Sequence, residues 1–314
     1  MISNLGRYEI IKELGRGAMG VVYEAKDPLI DRLVAIKTIN LQDLKPEEKQ
    51  EYEARFYQEA RAAGRLNHPN IVTIHDLGES GGMAYIAMEL LEGCELQNLL
   101  KGGQRLPLEE ALNIAIQVAT GLAYAHEHGI VHRDIKPSNI MVQKGNQVKI
   151  ADFGIARMTA SLLSTETGKV LGSPLYMSPE QVTNRPLDSR SDIFSAGTML
   201  FQMLTGQLPF SGDNAHSVMY QIVHEEAQKP GSLNPEVPDK LDSIVAKCLA
   251  KKPDDRYLSA DALAEDLRAC REKLLMSEAG VKAASDSKMN KWKFVVAAVL
   301  LFIIFEMIEQ YLLH

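Results

Sequence analysis

The sequence predicts a bilobal α+β protein: a small antiparallel β-sheet lobe with one key helix, a larger and mainly helical lobe, and a hydrophobic helix at the C-terminus. Three observations predict it. The first ninety residues hold short β-branched runs broken by glycines and turn signals, with one helical stretch among them. Beyond Gly93 the apolar spacing changes to a helical period. Residues 292–313 are almost continuously apolar.

Element by element, Ile10 to Ile39 reads as strand material, with Val21, Val22, Val34, Ile36 and Ile39 as its β-branched residues. Lys45 to Leu66 is rich in Glu, Gln, Arg and Ala, with Pro46 near its start, so a helix is expected there. Ile71 to Leu77 and Met83 to Leu90 read as two strands around the turn Glu79-Ser80-Gly81-Gly82. Pro107 suits the first position of a long helix over Leu108 to His128. Short strands and loops follow from Ile130 to Ile155. Helices are expected over Asp192 to Leu204, Ala215 to Glu225, Asp239 to Ala250 and Ala260 to Leu275. Gly280 to Lys291 has no apolar period and reads as linker.

The 314 residues are 46% hydrophobic and 24% charged, which fits a globular body and not a disordered chain. A formal net charge of −7 argues against nucleic acid as the partner. Cys94, Cys248 and Cys270 are odd in number and widely spaced, so neither a disulfide framework nor a metal-ligand pattern is expected. They fit thiols of a reducing compartment. Met1 to Gly6 lacks the basic and then apolar run of a secretory signal.

Gly15-Arg16-Gly17-Ala18-Met19-Gly20 is a GxGxxG motif. Alone it leaves open a dinucleotide-binding turn, a plain hairpin, or a glycine hairpin whose backbone N–H groups approach phosphates. The following Val-Val-Tyr-Glu-Ala favours a second strand over a helix, hence a hairpin. Lys37 ends the apolar run Val34-Ala35-Ile36, so it needs anionic partners if it is buried. Phosphates and a carboxylate both suit it, and Glu59 lies mid-helix where it can supply the carboxylate. An exposed edge lysine is the alternative.

His132-Arg133-Asp134-Ile135-Lys136-Pro137-Ser138-Asn139 resembles the HRDxKxxN catalytic loop of protein kinases. Asp152-Phe153-Gly154 resembles their DFG triplet, and Ser178-Pro179-Glu180 stands where the family usually has APE. Order and spacing agree from Tyr8 to about Arg271. The stretches NHPNIV, DIKPSN and YMSPEQ look most similar to the eukaryotic-like serine/threonine kinases of bacteria.

The resemblance implies an enzyme that moves the γ-phosphoryl group of ATP onto protein Ser/Thr hydroxyls, with Mg²⁺, or Mn²⁺ in its place. The catalytic domain would be residues 8–271, with an N-lobe of 8–90 and a C-lobe of 94–271. Gly15, Gly17 and Gly20 would cover the phosphates, with Leu14 beside them. Lys37, placed by Glu59, would hold the α and β phosphates. Val22 and Ala35 would lie above the adenine and Met141 below it, with Met88 guarding the back of the pocket. Plain core packing is the alternative for both methionines. The backbone of Glu89 and Leu91 would bond the adenine. Asp134 would accept or orient the hydroxyl proton, and Lys136 would sit near the γ phosphate. Asn139 and Asp152 would offer hard oxygens to the metal. Asp192 would brace the catalytic loop, and Arg256 would pair with Glu180. Ala156 to Leu171 would be the activation segment, with Thr165 and Thr167 as autophosphorylation sites and Arg133 as a cationic partner. Two departures stand out. Ser173 replaces the usual threonine but keeps its hydroxyl, and Ser178 replaces the alanine of APE, a small change at a loop position.

At the tail, Phe294 to Phe305 is free of charge and would span about 18 Å as a helix, against about 30 Å for a bilayer core. Extension to Leu313 reaches about 30 Å but includes Glu306 and Glu309. Trp292 and Tyr311 sit at the two ends, and Lys288, Lys291 and Lys293 flank the first. This favours one transmembrane helix over 292–313 behind a linker of 272–291, with the catalytic domain cytoplasmic. An interfacial or partner helix and a helix packed on the kinase body are the alternatives. Expected partners are ATP, protein substrates, the membrane and a second copy for phosphorylation in trans, with no nucleic acid. Two rival functions remain. A pseudokinase scaffold at the membrane is opposed by the intact Lys37, Asp134, Asn139 and Asp152. A small-molecule kinase is opposed by the peptide-binding stretch Gly172 to Glu180.

Overall fold

The computed structural model describes residues 3–17, 20–40, 46–153 and 174–276. Its compact unit Met1–Leu267 holds both a sheet lobe and a helical lobe. The sheet lobe contains β1 (Asn4–Leu5), β2 (Tyr8–Gly17), β3 (Gly20–Asp27), β4 (Arg32–Asn40), β5 (Ile74–Ser80) and β6 (Met83–Glu89). They form one antiparallel sheet in the order β1-β2-β3-β4-β6-β5.

Strand alternation sorts the core. Val34 and Ile36 of β4 join Leu5, Tyr8, Ala25, Tyr85 and Ala87 on one face. Ile39, of the other parity, joins Phe56, Ala60, Ala84 and Ile86 on the face covered by helix α1 (Pro46–Ala63). Lys37 shares the parity of Ile39, so it points to the helix-covered face and not to solvent at an edge.

The strand expected from Ile71 begins instead at Ile74 and runs through Ser80, leaving Gly81 and Gly82 (φ +60° and +75°) as the turn. The reason is pairing. Ile71 forms a parallel bridge with Ile150, so residues 70–72 belong to the helical lobe's small sheet and not to the six-stranded one. That small sheet is β7 (Gly93–Glu95), β8 (Ile140–Gln143) and β9 (Val148–Ile150), in that order.

The helical lobe contains α2 (Leu96–Leu99), α3 (Leu108–Glu127), α4 (Pro179–Val182), α5 (Ser189–Thr205), α6 (Ala215–His224), α7 (Pro230–Leu233) and α8 (Asp239–Cys248). A further helix, α9, covers 260–276, five residues into the stretch expected to be linker. Helix α5 starts three residues before Asp192 because Asp188 caps it, its side chain accepting from the amide of Arg190. It ends at Gly206, whose φ of +75° closes the helix as glycine readily does. Helix α5 is buried nearly along its whole length and packs against α3 and α8. Pro107 takes the N-cap of α3 and not its first turn.

Among the described residues no helix is long and apolar enough to cross a membrane. The candidate span 292–313 lies outside the described residues. So do Gly154, the stretch Ala156–Leu171 with Thr165 and Thr167, and Ser173.

Candidate active site

The strand register gathers four of the expected nucleotide-site residues on one face of the sheet. Val22 stands opposite Lys37, Lys37 opposite Ile86, and Ala35 opposite Met88. Directly opposed residues share a face of the sheet. Val22, Ala35, Lys37 and Met88 therefore line a single surface. Leu14, 46% exposed, lies beyond them on β2.

The glycines of the hairpin have different causes. Gly17 pairs with Gly20 at its tip. A Cβ on Gly20 would lie 1.7 Å from the carbonyl oxygen of Thr38, so close backbone approach demands that glycine. A Cβ on Gly15, which pairs with Val22 in the hairpin, would meet nothing within 4 Å, so packing within the described residues does not demand glycine there.

Lys37 Nζ lies 2.7 Å from Asp152 Oδ2, with the two side chains 15% and 29% exposed. Burial alone would raise the Asp152 pKa. The charge and hydrogen bond of Lys37 outweigh it, aided by the fields of His132 and Lys136, and carry the carboxyl below its ordinary value. Asp152 is thus an anion. Its backbone has φ +61° and that of Arg133 φ +68°. Such conformations cost about 1–3 kcal/mol each in residues other than glycine and persist where the surroundings fix them.

The surroundings here are explicit. The Asp192 carboxylate, fully buried on α5, accepts from the amides of His132 (2.8 Å) and Arg133 (2.7 Å) and from His126 Nε2 (2.8 Å). The Arg133 carbonyl accepts from Gln181 Nε2 at 2.7 Å. His132 donates from Nε2 to the Ala151 carbonyl at 2.9 Å, while its Nδ1 accepts from the Asp134 amide at 3.2 Å. The Ala151 amide in turn donates to the Asn139 carbonyl at 2.8 Å. Ala151, the residue preceding Asp152, is therefore bonded to the catalytic loop through both its amide and its carbonyl.

Within that loop, Lys136 Nζ lies 2.7 Å from Asp134 Oδ2. Asn139 Nδ2 donates to the Asp134 carbonyl (2.7 Å) and to Asp134 Oδ2 (3.0 Å). Both uses of the Asn139 amide nitrogen leave its Oδ1 as the free acceptor end. Asn139 Oδ1 and the anionic Asp152 carboxylate are hard oxygen donors, so the residues present fit Mg²⁺. Among the described residues no group of three or more His, Cys, Asp and Glu forms a protein-only metal cage.

The lobe beneath is held by Arg256, which gives Glu180 two bonds, Nη1 to Oε1 at 2.7 Å and Nη2 to Oε2 at 2.8 Å, with both residues buried. Ser191 Oγ adds a third at 2.7 Å. Burial pushes the Glu180 carboxyl up, but these bonds win and hold it below its ordinary value.

The structure thus brings together Lys37, Asp134, Lys136, Asn139 and Asp152. Glu59 stands half-buried on α1, and the carboxylate found on Lys37 is that of Asp152. Met88 and Met141 are half-buried, on β6 and β8. The Glu89 amide donates to the Thr73 carbonyl at 2.9 Å. Three contributors escaped the sequence reading: His126, Gln181 and Lys149. Gln181 left a signal, because Ser178-x-x-Gln181 is a capping-box pattern. Lys149, whose ammonium lies 2.6 Å from Glu89 Oε1, left none.

Comparison with known proteins agrees with this geometry. The protein kinase domain family matches residues 8–267. A probable serine/threonine-protein kinase of Streptomyces coelicolor is 44% identical over 271 residues, 84% of this chain and 40% of that protein. The serine/threonine-protein kinase PrkC of Bacillus subtilis is 39% identical over 286 residues, 91% of this chain and 44% of its own. The serine/threonine-protein kinase PknL of Mycobacterium tuberculosis is 37% identical over 285 residues, covering 91% and 71%. This chain spans less than half the length of the first two relatives. With a matching family pattern over most of its length and a site of this construction, the chain belongs to the protein kinase family.

Proposed function

We propose that this chain is an active serine/threonine protein kinase, and that it is not a scaffold which has lost its chemistry. The observation that carries the reading is the convergence of Asp134, Lys136, Asn139, Asp152 and Lys37, with Asp152 and Asn139 joined through the Ala151 peptide. Phosphoryl transfer has a loose transition state with spread negative charge, so positioning and charge neutralisation are what a protein must supply. Asp134 Oδ2, held by Lys136 and Asn139, orients the substrate hydroxyl and takes its proton. Lys136 neutralises the γ-phosphoryl group. Lys37 holds the α and β phosphates once Glu59 replaces Asp152 as its carboxylate. Asn139 and Asp152 hold Mg²⁺, which when bound neutralises the phosphate oxygens.

In the same reading Thr165 and Thr167 are autophosphorylation sites, modified in trans between two copies, with Arg133 as the cationic partner of the new phosphate. Residues 292–313 form a single transmembrane helix that keeps the catalytic domain at the cytoplasmic face. The spacing of Trp292, Tyr311 and the flanking lysines supports this.

The test is incubation of the full chain with radiolabelled ATP and Mg²⁺, beside Asp134→Asn, followed by mapping of the labelled residues. Label on Thr165 or Thr167 that disappears in the mutant is the expected result. Tight ATP binding with no label on itself or on added protein at any enzyme concentration would overturn the reading.

A further inference from the structure

Strand β9 joins two ionic contacts. Lys149, at its centre, places Nζ 2.6 Å from Glu89 Oε1 and 3.3 Å from the Ile71 carbonyl. Three residues later, Asp152 meets Lys37 at 2.7 Å. The Lys149 and Glu89 side chains are 13% and 24% exposed, so this pair is screened less than a surface ion pair. Glu89 Oε1 also accepts from the Thr73 amide at 2.6 Å, while the Glu89 amide donates back to the Thr73 carbonyl at 2.9 Å.

The segment before Thr73 is itself bonded to β9. The Val72 amide donates to the Ile150 carbonyl (3.0 Å) and the Ile150 amide to the Asn70 carbonyl (2.9 Å). Asn70 Nδ2 donates to the Val148 carbonyl (2.9 Å) and to Gln117 Oε1 on α3 (2.9 Å). The end of β6, where the sheet lobe gives way to the helical lobe, is thus tied to β9 directly through Lys149 and indirectly through residues 70–73.

We propose that Lys149 is a positioning residue for the nucleotide. Through Glu89 it fixes the distance between the hinge backbone that takes the adenine and the Asp152–Lys37 region that takes the phosphates. The proposal rests on the kinase reading above. A nucleotide must touch both ends at once. With the span fixed, nearly every molecule is competent to bind it. With the span loose, only a fraction is, and the apparent dissociation constant rises by the inverse of that fraction. Adenosine touches the hinge end alone and does not sense the span.

The experiment uses the full chain as wild type, Lys149→Met, Lys149→Arg and Glu89→Gln. Kinase kinetics, binding of Mg-ADP and of adenosine, and thermal unfolding are measured on each. Lys149→Met is expected to raise KM for ATP and Kd for Mg-ADP about threefold to tenfold. Adenosine affinity and kcat at saturating ATP should stay within about twofold, and Lys149→Arg should behave as wild type within the same margin. Equal weakening of adenosine, a fall in kcat with KM unchanged, or an arginine variant no better than the methionine one would each overturn the proposal. Should Lys149→Met unfold below the assay temperature, Glu89→Gln carries the comparison, since it keeps an acceptor for Thr73 but not the charge. A wild type that binds Mg-ADP without turnover would count against the kinase reading. The positioning proposal would then stand or fall on the ratio of Mg-ADP to adenosine affinities.

Discussion

Asp192 Oδ1 accepts a 2.7 Å hydrogen bond from the amide of Arg133, a residue held at a φ of +68° beside the proposed proton acceptor Asp134. With Asp192 Oδ2 taken by His132 and His126, one buried carboxylate fixes three donors. Asn in its place offers one acceptor oxygen and turns an NH₂ towards an N–H. Asp192→Asn should therefore cost about 1–3 kcal/mol of stability. Misplacement of Asp134 should lower kcat about tenfold to a hundredfold, with KM for ATP changed much less. Denaturant unfolding and steady-state kinetics on the same preparation check this. An unchanged kcat would show that the loop holds its shape without the brace.

The Glu180–Arg256 pair makes a different kind of prediction. Both groups are buried, and each oxygen of the carboxylate has a guanidinium donor. Glu180→Ala strands the guanidinium and should destabilise the fold by about 3–5 kcal/mol. The pH dependence follows from the depressed carboxyl. A group whose folded pKa lies below its unfolded value contributes its full stability above the unfolded value, near 4.5, and loses it as pH falls through the folded value. Glu180→Gln does not titrate there. The stability gap between wild type and Glu180→Gln should be constant above pH 5 or so and narrow below about pH 4.5. Urea titrations at a series of pH values would reveal a gap that instead widens in acid, and that would remove the ionic account.

Contiguity decided how much of this was legible in the sequence. Asp134, Lys136 and Asn139 sit within six residues, so a linear motif carries them, and their contacts are likewise local. Which face of β4 is covered was not legible, because Val34-Ala35-Ile36 is apolar on both parities, and Lys37 read equally as a buried residue or an exposed edge lysine until Ile39 is found packed on Phe56 and Ala60 of α1. Nor was the start of β5. Ile71-Val72-Thr73-Ile74 is equally β-prone throughout, and its division is set by Ile150, far along the chain. Lys149 was illegible for the same reason. In isolation it is an ordinary charged residue of a short strand, and only the fold brings Glu89 to it.

Lys37 and Asp152 form a pair whose members need each other. Lys37→Met leaves a partly buried anion, and Asp152→Asn leaves an ammonium that is 15% exposed. Each single change should remove phosphoryl transfer. Each should also lower stability more than the chemistry of one side chain explains, because a charge is left without its partner. The double variant Lys37→Met/Asp152→Asn should be more stable than the sum of the singles predicts, with a coupling of about 0.5–3 kcal/mol, while remaining inactive. Additive losses in a thermodynamic cycle would mean that solvent already satisfies both charges.

Ser178 separates the family's usual pattern from the local physics of this chain. As a serine in place of alanine it reads as a minor change in a loop. In the fold it is buried and caps α4, its Oγ accepting from the Gln181 amide at 3.4 Å. Gln181 Oε1 accepts from the Ser178 amide at 2.8 Å, and its Nε2 donates to the Arg133 carbonyl. The cap therefore helps to orient a side chain that holds the catalytic loop. Ser178→Ala removes one of the two reciprocal bonds and should cost about 1 kcal/mol. Gln181→Ala removes the other, together with the bond to Arg133. It should cost at least as much in stability and should also lower kcat, which Ser178→Ala alone should scarcely move. Equal effects of the two variants on kcat would assign the catalytic influence to the helix as a whole and not to the amide of Gln181.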